Sequence, residues 1–221
     1  MKFSYIGAKP VQKWGDNKGV LSTSDATDLR KEDKISKDYG LEFIEKKTFS
    51  NNILEFAIPE QYPNILVVCK DIRFGGGIKY LTYRVKFAGD SAFNTSNLYK
   101  DAHYVVYDAN ATPIERKQGG TSFGRFGLRS ALSNTTGYFA KVWLLDFNRT
   151  NRMNTHYTEG ISYYSSGAEA YFAQGAGAIN KPERITEIQF SQNAGSAVTS
   201  GDIILYGLQG PRISENSLQG V

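Results

Sequence analysis

Alternation of apolar and polar residues is the dominant pattern of the chain from Leu41 onward. The stretch 80–87 carries apolar side chains at every second position, from Leu81 to Phe87, which predicts a half-buried antiparallel strand. Similar short runs recur along the chain without any helical period. We predict strands over 41–45, 53–58, 64–71, 79–87, 98–108, 122–128, 137–147, 155–164, 168–173, 184–191 and 202–207.

Glycine-containing turn signals separate these runs, as expected for an all-β chain. About eight to ten strands in two sheets is the size of a jelly roll, so we predict an antiparallel β-sandwich of jelly-roll type. The tract 74–77, Phe-Gly-Gly-Gly, is predicted to be a hairpin turn. The small residues of 173–178 are interpreted as a flexible loop.

The first 40 residues differ from the rest in being rich in turn signals and poor in apolar positions. A short helix is predicted over 26–34, but its apolar stripe is too thin to form a core of its own. We therefore divide the chain into an extended or helical anchor segment (1–40), a sandwich (41–210) and a loose tail (211–221). The apolar residues that the anchor segment offers for docking are Tyr5, Ile6, Trp14, Val20, Leu21 and Leu29.

Composition and charge remove several classes of partner. The chain has 221 residues and a net charge of +4, with no cluster of Lys and Arg that suggests a nucleic-acid groove. No apolar run approaches the ~20 residues of a membrane span, and no signal-peptide core follows Met1. We expect neither a nucleic-acid nor a membrane partner, and synthesis in the cytoplasm.

Metal and thiol chemistry finds little support. Cys69, the one cysteine, lies in an apolar run and is expected to be a buried, unreactive thiol. His103 and His156 could meet Cys69 in space, but no spacing of metal ligands supports such a site. His103 is expected at a strand edge. The sequence therefore predicts no metal and no cofactor.

Catalytic patterns are equally weak. There is no Gly-x-Ser-x-Gly elbow, and the glycine tract at 75–77 lacks the Lys and Ser/Thr of a phosphate-binding loop. Asp101, Asp108 and Asp146 are acids on predicted strands, and a pair of them in a cleft would suit glycoside hydrolysis. Solubility and turn capping at strand ends explain them better. We expect a protein that is not an enzyme.

Aromatic side chains are the remaining signal. Tyr157, Tyr163, Tyr164 and Tyr171 crowd the late strands. Exposed tyrosines either stack on sugar rings or fill an interface between subunits, so both uses stay open. Trp143 is interpreted as a core or interface residue rather than a sugar platform.

Three segments give the chain a resemblance to a known family. They are 43–68, with Tyr-Pro-Asn-Ile-Leu-Val-Val at its end, then 80–107, and finally 185–208, which closes in Asp-Ile-Ile-Leu-Tyr-Gly-Leu. Together they resemble the jelly-roll domain of tailed-bacteriophage virion proteins, found in head decorations, head fibres and tail fibres, over roughly 41–208. The segment 5–29 is similar to the short leader that opens many such proteins.

The resemblance implies a non-enzymatic virion structural protein, released with the particle. We expect a capsid decoration, cement or head-fibre protein that docks on the major capsid protein, or another virion protein, through its N-terminal segment. We also expect a homo-oligomer, for which a trimer is one option. The alternative is a tail-fibre or tail-tip adhesin that binds a host surface glycan.

Overall fold

The computed structural model describes residues 40–75, 78–107, 114–131, 137–147, 149–150, 152–163, 170–192 and 198–208. All regular structure in these ranges is β-strand. The strands are β1 (Leu41–Thr48), β2 (Leu54–Ala57), β3 (Asn64–Phe74), β4 (Ile78–Phe87), β5 (Tyr99–Tyr107), β6 (Ile114–Thr121), β7 (Gly124–Ala131), β8 (Tyr138–Leu145), β9 (Asn154–Tyr163), β10 (Ala170–Ile179), β11 (Ile185–Gln192) and β12 (Val198–Leu208).

Nested antiparallel pairs define the fold. The first strand pairs with the last, β2 pairs with β11, β3 with β8 and β4 with β7. This is the pattern of one long hairpin rolled into two sheets, which is the arrangement of a jelly roll. The prediction of an all-β antiparallel sandwich is confirmed.

Four further strands enlarge one of the two sheets. The larger sheet has the order β1-β12-β3-β8-β9-β10-β5-β6, and the smaller sheet has the order β2-β11-β4-β7. Strands β5 and β6 are inserted between β4 and β7, and β9 and β10 between β8 and β11. The insertions turn a four-stranded sheet into an eight-stranded one, so the larger sheet extends beyond the jelly roll proper.

The core lies between the two sheets and follows from the alternation in the sequence. On β4, the apolar side chains from Leu81 to Phe87 are buried, as predicted. On β8 every second residue from Tyr138 to Leu144 is buried, while Phe139 and Leu145 face outward. Burying these apolar side chains, at ~1.5–3 kcal/mol each, is the main stabilising contribution.

Two predictions about local structure are wrong, and one strand was not predicted. Strands β3 and β4, which flank the glycine tract at 74–77, lie in different sheets, so they do not form the predicted hairpin. Residues 173–178 belong to β10, where small side chains leave room for histidines on the neighbouring strands. Strand β6 was not predicted, because its sequence, Ile-Glu-Arg-Lys-Gln-Gly-Gly-Thr, has no apolar alternation.

Several predictions lie outside the described residues. They are the helix over 26–34, the six docking residues from Tyr5 to Leu29, and the tail 211–221. The chain divides into two units, Met1–Asp38 and Tyr39–Val221, and all the strands described above belong to the second. No helix long and apolar enough to cross a membrane occurs in the part of the chain that the structure describes.

Candidate functional site

The outer face of the larger sheet, meaning the side turned away from the smaller sheet, carries most of the large apolar side chains that are exposed in the described part of the chain. A strand presents every second side chain to this face, and here many of those positions are large and apolar. The exposed examples on β1, β5, β8, β9 and β10 are Leu41, Phe43, Tyr104, Phe139, Leu145, Ile161 and Phe172. So many exposed large apolar side chains on one sheet face are unusual for a protein that acts alone.

Cross-strand register arranges these side chains in rows. Phe139 pairs with Ile161, Ile161 with Phe172, and Phe172 with Val106, which gives an apolar row across β8, β9, β10 and β5. Phe172 is 48% exposed. Directly opposed side chains on neighbouring strands touch, so the row forms one surface rather than four isolated residues.

A charged row runs next to the apolar row. It consists of Val68, Lys141, Glu159, Gln174 and Tyr104, paired in that order across β3, β8, β9, β10 and β5. The two charged side chains lie opposite each other at the centre of the sheet.

An aromatic row follows two residues further along the strands. It consists of Tyr206, Leu66, Trp143, Tyr157 and Ala176, on β12, β3, β8, β9 and β10. Phe43 extends the row onto β1, where its ring meets that of Tyr206 edge-on at 6.1 Å. The amide of Gln174 donates a hydrogen bond to the hydroxyl of Tyr157.

A shallow groove of about 580 Å³ lies on this face, over β3, β8, β9 and β10. Its walls include Phe139, Ile161 and Phe172 of the apolar row and the two charged side chains Lys141 and Glu159. A groove with aromatic walls and a few polar groups can accept an apolar side chain or the face of a sugar ring.

A second cluster, of polar side chains, lies buried between the sheets. His156 on β9 shares a 2.9 Å hydrogen bond with the hydroxyl of Tyr83 on β4. Asp101 and His103 lie on β5, with 3.6 Å between Oδ2 of the carboxylate and Nε2 of the ring. Gly175 and Gly177 of β10 make this packing possible, because a Cβ on either glycine would collide with an imidazole. His103 is thus a mid-strand core residue, and the prediction of a strand edge is wrong.

Burial controls the protonation of this cluster. Removal from water, and secondarily the nearby His103, lowers the pKa of His156 to about 3. Burial also raises the pKa of the Tyr83 hydroxyl well above its ordinary value. Both groups are therefore neutral near pH 7, and their hydrogen bond joins two uncharged partners. The cluster is a polar part of the core that solvent does not reach.

The metal and thiol predictions can be compared with this geometry. The fold brings His103 and His156 together, with Asp101, but leaves Cys69 on β3, which is separated from β9 by β8. The described residues contain no group of three or more His, Cys, Asp or Glu arranged to hold a metal ion. Cys69 is buried, and burial raises the pKa of its thiol, as expected for an unreactive core cysteine.

Asp101 and Asp146, the two candidate acids that the structure describes, do not form a pair in a cleft. Asp101 is buried beside His103, while Asp146 lies just after β8 and pairs with Arg149 at 3.5 Å and Arg152 at 3.9 Å. Asp108 lies outside the described residues. The interpretation of Asp146 as a strand-end residue agrees with its position.

The predicted tyrosines are only partly accounted for. Tyr157 lies in the aromatic row on the outer face. Tyr163 and Tyr171 lie on β9 and β10, where the backbone alone is described, and Tyr164 lies outside the described residues. The sequence did not single out Phe139 or Phe172 as site residues. What places these two residues in one row is the pairing register of β8, β9 and β10. The sequence of a single strand does not reveal that register.

Comparison with known proteins adds no family: no family model, curated protein or solved structure matches the chain.

Proposed function

We propose that the chain is a non-enzymatic structural protein of a bacteriophage particle, a capsid decoration, cement or head-fibre protein. Residues 1–40 dock it on the major capsid protein or another virion protein, and the sandwich is displayed on the particle surface. The resemblance of 41–208 to virion jelly rolls supports the phage setting.

The outer face is the observation that carries a binding function. Phe139, Ile161 and Phe172 are exposed in one row, although exposing large apolar side chains costs solubility. The imidazoles and Asp101 are enclosed in the core, where no substrate reaches them. An exposed apolar face with enclosed titratable groups supports assembly with other proteins better than catalysis.

Deletion of residues 1–40 tests the docking function. We expect the shortened chain to lose co-purification with particles, because the docking residues are removed. A second variant, Trp14→Ser with Leu21→Ser in the full chain, should reduce occupancy in the same direction. Ile53→Ser, which replaces an exposed apolar residue outside the docking segment, serves as the control and should leave occupancy unchanged. Full occupancy of the deletion variant on purified particles would contradict the assignment.

The aromatic row supports a second candidate, an adhesin for host glycans on a tail fibre or tail tip. Trp143, Tyr157 and Tyr206 present rings on one exposed face, and such rings can stack on sugars. The full chain would then bind defined glycans on an array, and Tyr157→Ala would lower the affinity at least tenfold. Binding that is unchanged in Tyr157→Ala would remove this row as the glycan site.

A further inference from the structure

The larger sheet has a natural midline between β8 and β9. Four strands, β1-β12-β3-β8, lie on one side of it, and four, β9-β10-β5-β6, lie on the other. Consider a twofold axis above this midline and parallel to the strands. Rotation about that axis places β8 over β9 of a second copy, β3 over β10, and β12 over β5. Each row of the outer face then faces the same row of the other copy.

The charged row is self-complementary under this rotation. Lys141 on β8 and Glu159 on β9 are register partners on either side of the midline. Lys141 of each copy therefore faces Glu159 of the other, which gives two opposite-charge contacts beside the axis. Like charges at these two positions would instead repel, so the charge pattern favours this pairing of faces.

Beside the axis, the other two rows also match in chemistry and in size. In the apolar row, Phe139 faces Ile161 of the second copy. Further out in the apolar row, Phe172 faces the Lys70–Asp71 bulge of β3, where the stem of Lys70 lines the same groove. In the aromatic row, Trp143 faces Tyr157, and the large ring of Tyr206 faces the small Ala102, which continues the row on β5. Large side chains opposite small ones let two sheets interdigitate at ~10 Å.

The area is sufficient for a stable dimer. Six strands about 4.8 Å apart and three rows about 7 Å apart give a projected footprint of roughly 600 Å² per copy. The accessible surface of a ridged face exceeds its projection, so the contact reaches the ~800 Å² per partner of standard interfaces. We propose that the outer face of the larger sheet binds the same face of a second copy of this chain. This inference rests on the proposed function only in taking the outer face as a binding surface.

Solution mass provides the first test. Light scattering on the purified full chain at about 50 μM should give twice the chain mass of 24.6 kDa. Phe172→Ser should weaken dimerisation at least tenfold, whereas Ile53→Ser, which removes an equally exposed apolar side chain elsewhere, should not. Circular dichroism and thermal melting verify that each variant is folded. A monomeric wild type, or a dimer or trimer that Phe172→Ser leaves intact, would overturn the proposal.

Charge reversal provides the second test. Unlike the first test, it does not rely on a single variant, Phe172→Ser, remaining folded. Lys141→Glu and Glu159→Lys should each weaken self-association by about tenfold to thirtyfold, because two contacts become repulsive. An equimolar mixture of the two variants should form the heterodimer, since every facing pair is again opposite in charge. Glu60→Lys, on an exposed residue away from this face, is the control reversal.

The mixing result separates an interface from a folding defect. A variant that is weakened by misfolding would not be rescued by its counterpart, so heterodimer formation in the mixture identifies a charge-dependent interface. Absence of the heterodimer from a mixture of two folded variants would overturn the proposal. Particle co-purification is measured independently. A chain that dimerises through this face but does not join particles would refute only the virion assignment. A chain that joins particles but stays monomeric in solution would refute only the dimer.

Discussion

Gly177 on β10 is a position where one methyl group should destabilise the protein severely. A Cβ there would lie 2.2 Å from Cε1 of His156 and 2.6 Å from the carbonyl oxygen of Lys100. The imidazole cannot swing away easily, because it is hydrogen-bonded to Tyr83 and packed edge-on against the ring of Phe126. The carbonyl belongs to the neighbouring strand β5, so relieving the contact means separating two strands.

The expected cost of Gly177→Ala is about 3 kcal/mol in the free energy of unfolding, at the upper end of ordinary overpacking. For a protein of this size, that cost lowers the melting temperature by roughly 6–12 °C. Urea unfolding followed by circular dichroism gives the free energy, and thermal melting gives an independent measure. The loss should be smaller in a His156→Ala background, because one of the two collisions is then absent.

Gly119→Ala is the matched control for this substitution. Gly119 is also a strand glycine, on β6, but a Cβ at this position would meet nothing within 4 Å. Alanine should therefore be neutral or stabilise by up to ~1 kcal/mol through the unfolded state. The reasoning is refuted if the free energy of unfolding of Gly177→Ala lies within 0.5 kcal/mol of the wild-type value, or if the two substitutions lower it by the same amount.

Three further predictions concern buried polar groups. The pKa of His156 is lowered to about 3 in the folded protein, whereas the same side chain in the unfolded chain has a pKa near 6.5. The unfolded chain therefore binds a proton that the folded protein does not, and the free energy of unfolding should fall as the pH drops from about 6.5 towards 3. The expected loss is roughly 2 kcal/mol between pH 7 and 5. Urea unfolding at several pH values should show this slope and its flattening in His156→Gln. Asn154→Ala should cost about 2–3 kcal/mol, since the buried amide donates to the carbonyls of Lys181 and Glu183 at 3.0 Å each; a change below 0.5 kcal/mol in the same assay would contradict this. Cys69 should not react with a thiol reagent in the native protein and should react fully in denaturant, and fast native labelling would count against its burial.

The fold class could be predicted from the sequence because alternation is a local signal. Strand β4 shows it clearly, and its four alternating apolar side chains are buried as expected. Strand β6 was not predicted, and β10 was predicted only over its first residues, within 168–173. The two shortfalls have opposite reasons. The first, β6, has no large apolar residue after Ile114. The second is rich in Gly and Ala, which is typical of loops, and its strand character depends on the side chains of two neighbouring strands.

The candidate site was less accessible to sequence reasoning. Tyr157 was singled out, but its partner Trp143 was interpreted without a row to place it in. The apolar row joins Phe139, Ile161 and Phe172, which come from three strands and meet only through their register. Register depends on pairing between distant segments, and a one-residue slip would turn each of these side chains inward. The buried His103–His156 pair depends on the same long-range pairing.

The nested pairing of strands also sets an order in which the chain can fold. Strands β9 and β10 are neighbours both in sequence and in the sheet, so they can pair locally. Strand β1 instead pairs with β12, so the partner of Leu41 is Leu208, at the far end of the domain sequence. Pairing across such a sequence separation is slow, because the loop must close before any contact compensates its entropy. During synthesis the larger sheet therefore keeps β1 without its strand partner until the ribosome has released residue 208, which makes this protein a candidate for post-translational rather than co-translational folding.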